Sequence, residues 1–443
     1  MNILIITHYI APIQAVASIR WTKIAKYLKK EHDINITILT DKKNYDDETS
    51  GISLSVDDPL LKKDVKYFNE VIEVPYGKGY LYYRKKLYKY KKSKNKNTEY
   101  VKNSVNSLNT KKNFKTKLKE NESFFRVDFI ENRVIASNIY KSIKNVNQYD
   151  VIISTFSPSW THLVAEKIKR KNKNVFWLAD FRDSYADDIA DCKLAFKYHK
   201  NFVKKHCSKA DVITRVNDEL VLFESKEQKI VTIYNGYDPD EKIQSKAAKK
   251  FSFTFTGLMA GDERDFTELF RVVSELIQEG KIDSEDVVFN YAGNSGKLFF
   301  EQAKVMNMEK FVIDHGLLKR EDALKLQSES LVLLMANANT NTLKCEWSGK
   351  MYEYMMTRKP IIYFVSGTVP YSLPSKKIDK LGGCCYEYLR HDEMHTTLKN
   401  YIENIYSEWK QEGCVILNCD EEYVNQFAYP HIAKKIWSLI SNK

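Results

Sequence analysis

A regular alternation of short apolar runs with longer amphipathic segments constrains the fold of this chain most. In the first half, apolar runs of strand length stand at 3–7, 34–39, 71–74, 151–155, 175–179, 212–215 and 230–234. In the second half they stand at 251–256, 287–292, 311–315, 331–335 and 360–365. Helical spacing of apolar residues separates many of these runs. The pattern predicts an α/β protein with two doubly wound, Rossmann-like parallel sheets.

The domain organisation follows from where this alternation restarts. At 443 residues, the chain is long enough for two domains of about 200 residues each. We expect an N-terminal domain over 1–240, a second domain over 250–425 and a closing helix over 426–443. Ligands bind beyond the carboxyl ends of strands in such sheets, so two blocks predict a site in a cleft between them.

The net charge of +12 is concentrated in one segment. Residues 76–120 hold 14 Lys and one Arg against two Glu, a net charge of +13, so the rest of the chain is nearly neutral. The part over 80–90 interleaves Tyr with Lys and Arg, and 91–119 is predicted to be a mobile polar insertion. The absence of a second basic face argues against nucleic acid. The segment favours docking to an anionic membrane surface, and a solvated loop without function is the alternative.

The cysteine count and hydropathy predict the compartment. Seven cysteines, an odd number without a Cys-x-x-Cys pair, indicate free thiols in a reducing environment. The N-terminal apolar run is short and has the character of a strand, and no run reaches the length of a membrane span. We therefore expect a cytoplasmic chain that lies peripherally on the inner face of the membrane.

Residues whose types suggest binding or catalysis follow the predicted strands. In the first block they are His8, Arg20, His162, Asp180, Arg182 and Asp183. In the second block they are Gly257, Arg264, Gly316, Gly349, Lys350 and Glu353. The carboxyl ends of parallel strands share one edge of a sheet, so each set is expected to gather there.

The second set has the chemistry of a nucleotide-sugar site. Lys350 falls in the first turn of a helix after Gly349, where backbone N–H groups face an anion, and Arg264 could add a second cation. Glu353, one turn further on, can accept hydrogen bonds from two vicinal hydroxyls. Phosphates plus a diol describe a nucleotide-sugar. An ordinary surface pair between Lys350 and Glu353 is the alternative from spacing alone.

The other candidate residues also have ordinary structural interpretations. Arg264 could be a solvated helix start, and His162 a surface histidine. Asp180 and Asp183 could cap the following segment.

Metal-site patterns in the chain are incomplete. His391 and His395 have the spacing of a zinc-protease helix, but Asp392 stands where the catalytic Glu must follow the first His. The Asp-x-Asp pattern at 238–240 lies in a turn. The sequence therefore predicts neither a metal site nor a cofactor.

In order and type, these motifs resemble the retaining glycosyltransferases of family 4, which have the GT-B fold, and especially bacterial members that build surface polysaccharides. The resemblance covers most of the chain outside the basic insertion. It rests on Arg20-Trp21 in the opening helix, on Ser157-Pro158 with His162, and on the run 179–183. It rests also on the turn 235–238, on Gly257 with Arg264, and on the run 349–354 followed by 359–362.

The resemblance implies roles for these residues. Arg264 and Lys350 would hold the donor diphosphate of a UDP- or GDP-sugar, Glu353 the ribose, and Gly316 would border the base. His162, Asp180, Arg182 and Asp183 would be the catalytic residues on the acceptor side, and Arg20 would lie near the phosphates. Transfer would retain the anomeric configuration and need no metal, with a lipid-linked or nascent surface glycan as acceptor.

Two departures separate the chain from the family pattern. Many members carry Glu-x7-Glu, whereas Cys345 stands eight positions before Glu353 and Glu346 is shifted by one, so either the loop adjusts or the donor sugar is read differently. The glycine-rich loop after the first strand is replaced by 15–18, Ala-Val-Ala-Ser. A sugar-nucleotide epimerase of the same fold and a non-catalytic membrane-associated protein are the alternative functions.

Overall fold

A computed structural model describes most of the chain. The described residues are 1–42, 57–95, 125–183, 193–218, 220, 222, 228–242, 247–259, 263–341 and 344–441. The predicted insertion therefore lies outside them from 96 to 120, as does Cys192. The chain divides into two compact units, one formed by Met1–Tyr234 with Ala433–Lys443 and the other by Asn235–Ile432.

The first unit is built on a seven-stranded sheet. Its strands are β1 (Asn2–Ile6), β2 (Asn35–Asp41), β3 (Glu70–Val74), β4 (Val151–Phe156), β5 (Phe176–Phe181), β6 (Val212–Arg215) and β7 (Ile230–Thr232). Their order is β3-β2-β1-β4-β5-β6-β7, and every neighbouring pair is parallel. The central strands β1 and β4 are almost wholly buried, as the apolar runs 3–6 and 151–153 predict.

Helices cover this sheet along the crossovers. They are α1 (Val16–Glu31), α2 (Pro59–Lys62), α3 (Lys78–Asn95), α4 (Asn132–Lys141), α5 (Trp160–Lys171) and α6 (Lys193–His206). The core beneath them contains the fully buried Trp160 and Trp177. At the C-terminal end of the chain, Trp437 stacks on His32 with ring centroids 3.7 Å apart, which ties that end to α1.

The basic segment begins as an ordered helix. α3 covers Lys78–Asn95, and its first turns are held by Glu131, which is buried and accepts hydrogen bonds from Tyr80 and Arg84. Glu131 ends a wide helical segment, Phe125–Glu131, that leads into α4. Tyr82 and Tyr90 are 61% and 56% exposed, so α3 presents aromatic rings among its lysines.

The second unit is built on a six-stranded sheet. Its strands are β8 (Phe251–Thr256), β9 (Val287–Ala292), β10 (Val312–Asp314), β11 (Val332–Asn339), β12 (Ile361–Gly367) and β13 (Cys384–Glu387). Their order is β10-β9-β8-β11-β12-β13, again with parallel neighbours throughout. The prediction of two parallel-sheet α/β domains is therefore confirmed, with one strand, β13, added to the five expected in this unit.

Eight helices or parts of helices accompany this sheet in the described residues. They are α7 (Thr267–Gln278), α8 (Gly296–Val305), α9 (Arg320–Glu329), α10 (Gly349–Thr357), α11 (Leu373–Lys377), α12 (His391–Glu412), α13 (Glu421–Asn425) and the start of α14 (Tyr429–Ser441). Aromatic side chains dominate the core, where Phe253 and Phe270 both pack against Phe289. None of the described helices in either unit is long and apolar enough to cross a membrane.

Candidate functional site

A glycine and a lysine meet at the carboxyl end of β8. Gly257 follows the strand with φ +152°, and a Cβ there would stand 2.9 Å from Cε of Lys350. A larger residue would displace the lysine, so glycine is needed both for the backbone conformation and for the close approach. The structure thus brings together two predicted site residues that are 93 positions apart in the sequence.

Lys350 is a partly buried cation without an ion-pair partner in the described part of the chain. It is the second residue of α10, close to the exposed N–H groups of that helix. Burial lowers the pKa of Lys350, the charge of Glu353 opposes this shift, and the charge of Arg264 adds to it. Two cations held close together in a partly desolvated site favour an anion between them.

The other polar groups around the start of α10 also suit the binding of an anion. Arg264 donates a hydrogen bond to the carbonyl of Leu258, which fixes it beside the end of β8. Ser348, the residue before α10, has a buried Oγ that forms no hydrogen bond within the described residues. Gly349 opens the helix. A phosphate at this helix N-terminus would meet an unsatisfied hydroxyl and two cations.

Glu353 forms an ion pair that the sequence analysis missed. Its Oε1 lies 3.2 Å from Nε of Arg320, and the same guanidinium lies 2.7 Å from Glu241. The second oxygen of Glu353 makes no hydrogen bond within the described residues. Arg320 is the first residue of α9 and stands four positions after Gly316. A basic residue so close to a predicted site glycine is the sequence signal that could have indicated this ion pair.

Gly316 lies just beyond β10. Its φ is +64°, its N–H donates to Asp314 at 2.8 Å, and its carbonyl accepts from the N–H of Gly293. This left-handed backbone conformation explains why a glycine stands at position 316. Its predicted place at the border of the base stays a prediction.

In the first unit, Asp180 is an internal counter-ion. It is fully buried at the end of β5 and accepts hydrogen bonds from Arg20, Trp21, Thr155 and Thr214 at 2.7–3.2 Å. Burial acts to raise the pKa of Asp180, but the charge of Arg20 and the hydrogen bonds from Arg20, Thr214 and Trp21 together outweigh it, so the pKa lies below its ordinary value. These contacts give Asp180 a structural role, and its catalytic role stays a prediction.

Arg20 is the other half of this arrangement. It is 1% exposed, its Nη2 lies 2.9 Å from Asp180, and its Nη1 donates to the carbonyl of Tyr234. The guanidinium thus connects α1 with β5 and the segment after β7. The predicted place near the phosphates is untested, whereas its structural contacts are explicit.

Arg182 fastens the loop after β4. Its guanidinium donates to Thr155 Oγ1 and to the carbonyls of Phe156 and Ser157 at 2.8–3.0 Å. Burial lowers the pKa of Arg182, and the exposed Asp183 opposes that shift. Both residues lie at the carboxyl edge of the sheet, as predicted.

His162 is a buried, neutral imidazole. Ser154 Oγ accepts a hydrogen bond from the indole N–H of Trp177 and forms a second hydrogen bond with Nδ1 of His162, 2.7 Å away, in which either group can be the donor. The other ring nitrogen, Nε2, is buried and has no partner within the described residues. Burial lowers the pKa of His162 to about 3. The residue can donate a hydrogen bond but does not serve as a base near neutral pH.

A histidine–aspartate pair also lies at the carboxyl edge of the seven-stranded sheet. His8, just after β1, lies 2.7 Å from the buried Asp41 at the end of β2, and Tyr76 donates to the other oxygen of Asp41. His8 is partly exposed. The sequence analysis placed His8 after a strand but did not find its partner, because the pairing depends on strand order.

Comparisons with known proteins place this geometry in context. A scan against protein-family models finds no match, and neither does a search of curated protein sequences. Solved structures do match. The lipopolysaccharide outer core galactosyltransferase WaaB aligns with 100% of this chain and 99% of its own, at a TM-score of 0.52 and 12% identity.

The chain has the GT-B fold. Sucrose-phosphate synthase from Thermosynechococcus elongatus aligns with 100% of this chain and 98% of its own, at a TM-score of 0.55 and 12% identity. S. aureus TarM, solved with Fondaparinux, alpha-GlcNAc-glycerol and UDP, aligns with 99% of each chain, at a TM-score of 0.52 and 12% identity. These neighbours are GT-B glycosyltransferases, and at such low identity the likeness concerns the fold alone.

Proposed function

We propose that this protein is a glycosyltransferase that moves a sugar from a nucleotide-sugar, such as a UDP- or GDP-sugar, to a glycan acceptor. One observation carries the proposal. Lys350 and Arg264 form a partly buried pair of cations at the end of β8, beside the N-terminus of α10 and the unsatisfied hydroxyl of Ser348. A nucleoside diphosphate has the charge and the oxygen acceptors that this arrangement requires.

The same groups would promote departure of the leaving group. Negative charge develops on the diphosphate as the glycosidic bond breaks, and fixed cations with helix N–H groups stabilise that charge. We propose that Lys350 and Arg264 perform this task without a metal and that transfer retains the anomeric configuration. Glu353, oriented by Arg320, would accept hydrogen bonds from the ribose hydroxyls.

The first unit would supply the acceptor side. With its ring proton on Nε2, the buried and neutral His162 would offer an N–H donor, which suits a hydrogen bond to a sugar hydroxyl better than a proton transfer. Arg182 holds the neighbouring loop in shape. By analogy with WaaB, which is named a lipopolysaccharide outer core galactosyltransferase, we propose a lipid-linked or nascent surface glycan as acceptor.

The basic helix α3 would bring the enzyme to that acceptor. Its lysines carry the charge expected to attract anionic lipid, by about 1 kcal/mol for each residue near the surface. Tyr82 and Tyr90 are exposed on it and have the amphipathic rings that favour the lipid interface. We therefore propose peripheral association with the inner face of the membrane.

A thermal-shift screen of nucleotide-sugars tests the function directly, since a ligand that binds the folded state raises the melting temperature. The sugar that gives the largest shift is then incubated with the protein, with and without a lipid-linked glycan extract, and followed by NMR. We expect free nucleotide only when the extract is present. A new sugar-nucleotide formed without any acceptor would identify an epimerase instead, and no shift with any donor would contradict the proposal.

A further inference from the structure

Two helices of the second unit bring a carboxylate and two imidazoles together. His391 and His395 stand four residues apart and therefore share one face of α12, while Glu268 projects from α7. Nδ1 of His395 lies 2.6 Å from Glu268 Oε1, and Nδ1 of His391 lies 3.7 Å from the same oxygen. The side chain of Glu268 is 4% exposed. All three atoms lie within 4.8 Å of one another.

His395 lies between two carboxylates. Its Nδ1 is 2.6 Å from Glu268 Oε1, and its Nε2 is 3.3 Å from Glu275 Oε2. A ring that directs its Nε2–H to Glu275 presents the lone pair of Nδ1 on the side of Glu268 and His391, which is the arrangement that a metal-binding histidine needs.

His391 directs its Nδ1 to the same place. This nitrogen lies 3.7 Å from Glu268 Oε1 and 2.5 Å from the hydroxyl of Tyr386, a contact in which either group can be the donor. When the imidazole proton of His391 is on Nε2, Nδ1 carries a lone pair that an ion can take. His391 is half exposed, which gives an ion access from solvent.

We propose that Glu268, His391 and His395 bind a divalent transition-metal ion, with zinc as the expected species, which fastens α7 to α12. Two imidazoles and a carboxylate form an open ligand set that water completes to four. At metal–ligand distances of about 2.1 Å, tetrahedral ligand atoms stand roughly 3.4 Å apart, so His395 must retreat and His391 approach by less than about 1 Å.

The surrounding groups match the outer shell of such a site. Metal-bound histidines usually donate their second ring nitrogen to a carboxylate, and Glu275 occupies that position for His395. Arg271 lies 3.2 Å from the second oxygen of Glu268 and fixes the orientation of its carboxylate. The sequence analysis set the two histidines aside because Asp392 follows the first one. The fold supplies the carboxylate from a different helix.

Metal binding is tested on the full chain after treatment with a chelator and dialysis. Zn²⁺ is added in a thermal-shift assay, and Co²⁺ serves as a spectroscopic probe of coordination by nitrogen and oxygen. We expect Zn²⁺ to raise the melting temperature, and visible Co²⁺ bands of four-coordinate intensity. His391→Gln, at a half-exposed position, should abolish both signals, and Glu275→Gln should weaken binding by about 10- to 100-fold. His431→Gln, an exposed histidine elsewhere in the unit, is the matched control.

Two outcomes would overturn the proposal. If the folded wild-type protein shows no zinc-dependent shift and no cobalt bands, the three residues do not bind a metal ion. An equal shift in the wild type and in His391→Gln would identify adventitious binding and overturn it as well. These readouts require no nucleotide, so they are independent of the proposed transferase activity.

Discussion

Lys350 lies so close to Gly257 that a single added methyl group would stand 2.9 Å from its Cε. This contact joins the first strand of the second unit to the N-terminus of α10. The contact holds the cation of Lys350 over the end of β8, and the proposed donor site depends on it.

Replacement of that glycine gives the first prediction. Gly257→Ala introduces a Cβ at a φ of +152° and pushes Lys350 away from the strand end, so we expect nucleoside diphosphate affinity to fall by about tenfold. Calorimetric titration measures the affinity. Gly280→Ala, also at positive φ but with open space around its Cβ, controls for strain alone. Equal losses in the two variants would contradict the role of the contact.

A second prediction concerns the buried ion pair of the first unit. Asp180→Asn leaves Arg20 buried without its counter-charge, and we expect the unfolding free energy to fall by about 3–5 kcal/mol. Urea unfolding measures the change, with the exposed Asp33→Asn as the control. Because the pKa of Asp180 is lowered in the folded state, its contribution is present above its ordinary pKa and is lost as the pH falls through the folded value. A wild-type stability in the variant would show that the pair does not support the fold.

His162 gives a third prediction, on pH dependence. Burial lowers its pKa to about 3, so in acid the unfolded chain takes up a proton at about pH 6.5 that the folded chain refuses. This residue is thus expected to cost the wild type about 2 kcal/mol of unfolding free energy between pH 7 and pH 5. His162→Gln should lack that part of the pH slope. Denaturant titrations at the two pH values measure this slope. Equal losses of unfolding free energy in the wild type and in the variant would show that His162 titrates in the folded protein as it does in the unfolded chain.

The fourth prediction tests the membrane surface of α3. Lys86 and Lys89 are exposed beside Tyr82 and Tyr90, and replacing both lysines with Gln should weaken binding to anionic vesicles by about 30-fold. Vesicle sedimentation at low salt measures binding, and neutral vesicles give the background. Lys297→Gln with Lys304→Gln, two exposed changes on α8, provide the charge-matched control. If both pairs behave alike, α3 is not the docking surface.

Much of the fold could be predicted from local patterns. The runs 3–6 in β1 and 332–336 in β11 are unbroken and apolar, and runs of this kind indicate strands buried on both faces. β13 escaped notice because Cys384–Glu387 has no such pattern and ends in a carboxylate that the fold buries. α3 was predicted as a basic segment, but its helical order depends on Glu131, which lies beyond the undescribed residues.

The site was predictable where short spacing carries the chemistry. Gly349, Lys350 and Glu353 lie within five positions, and helical geometry alone places them in one or two turns. The roles of Asp180 and Glu353 were harder to predict because their partners, Arg20 and Arg320, are brought to them by the fold. A carboxylate at a strand end looks the same in sequence whether it faces a ligand or an internal arginine.

The most direct test of the account is a calorimetric titration of UDP and of GDP into the wild type, Lys350→Ala and Lys304→Ala. Charge-assisted hydrogen bonds contribute about 1.5–3 kcal/mol, so Lys350→Ala should weaken the binding of the preferred nucleotide roughly 10- to 100-fold. Lys304→Ala, an exposed lysine of the same unit, should bind as the wild type does. Nucleotide binding that is equally tight in all three proteins would contradict the assignment of Lys350 to the donor diphosphate.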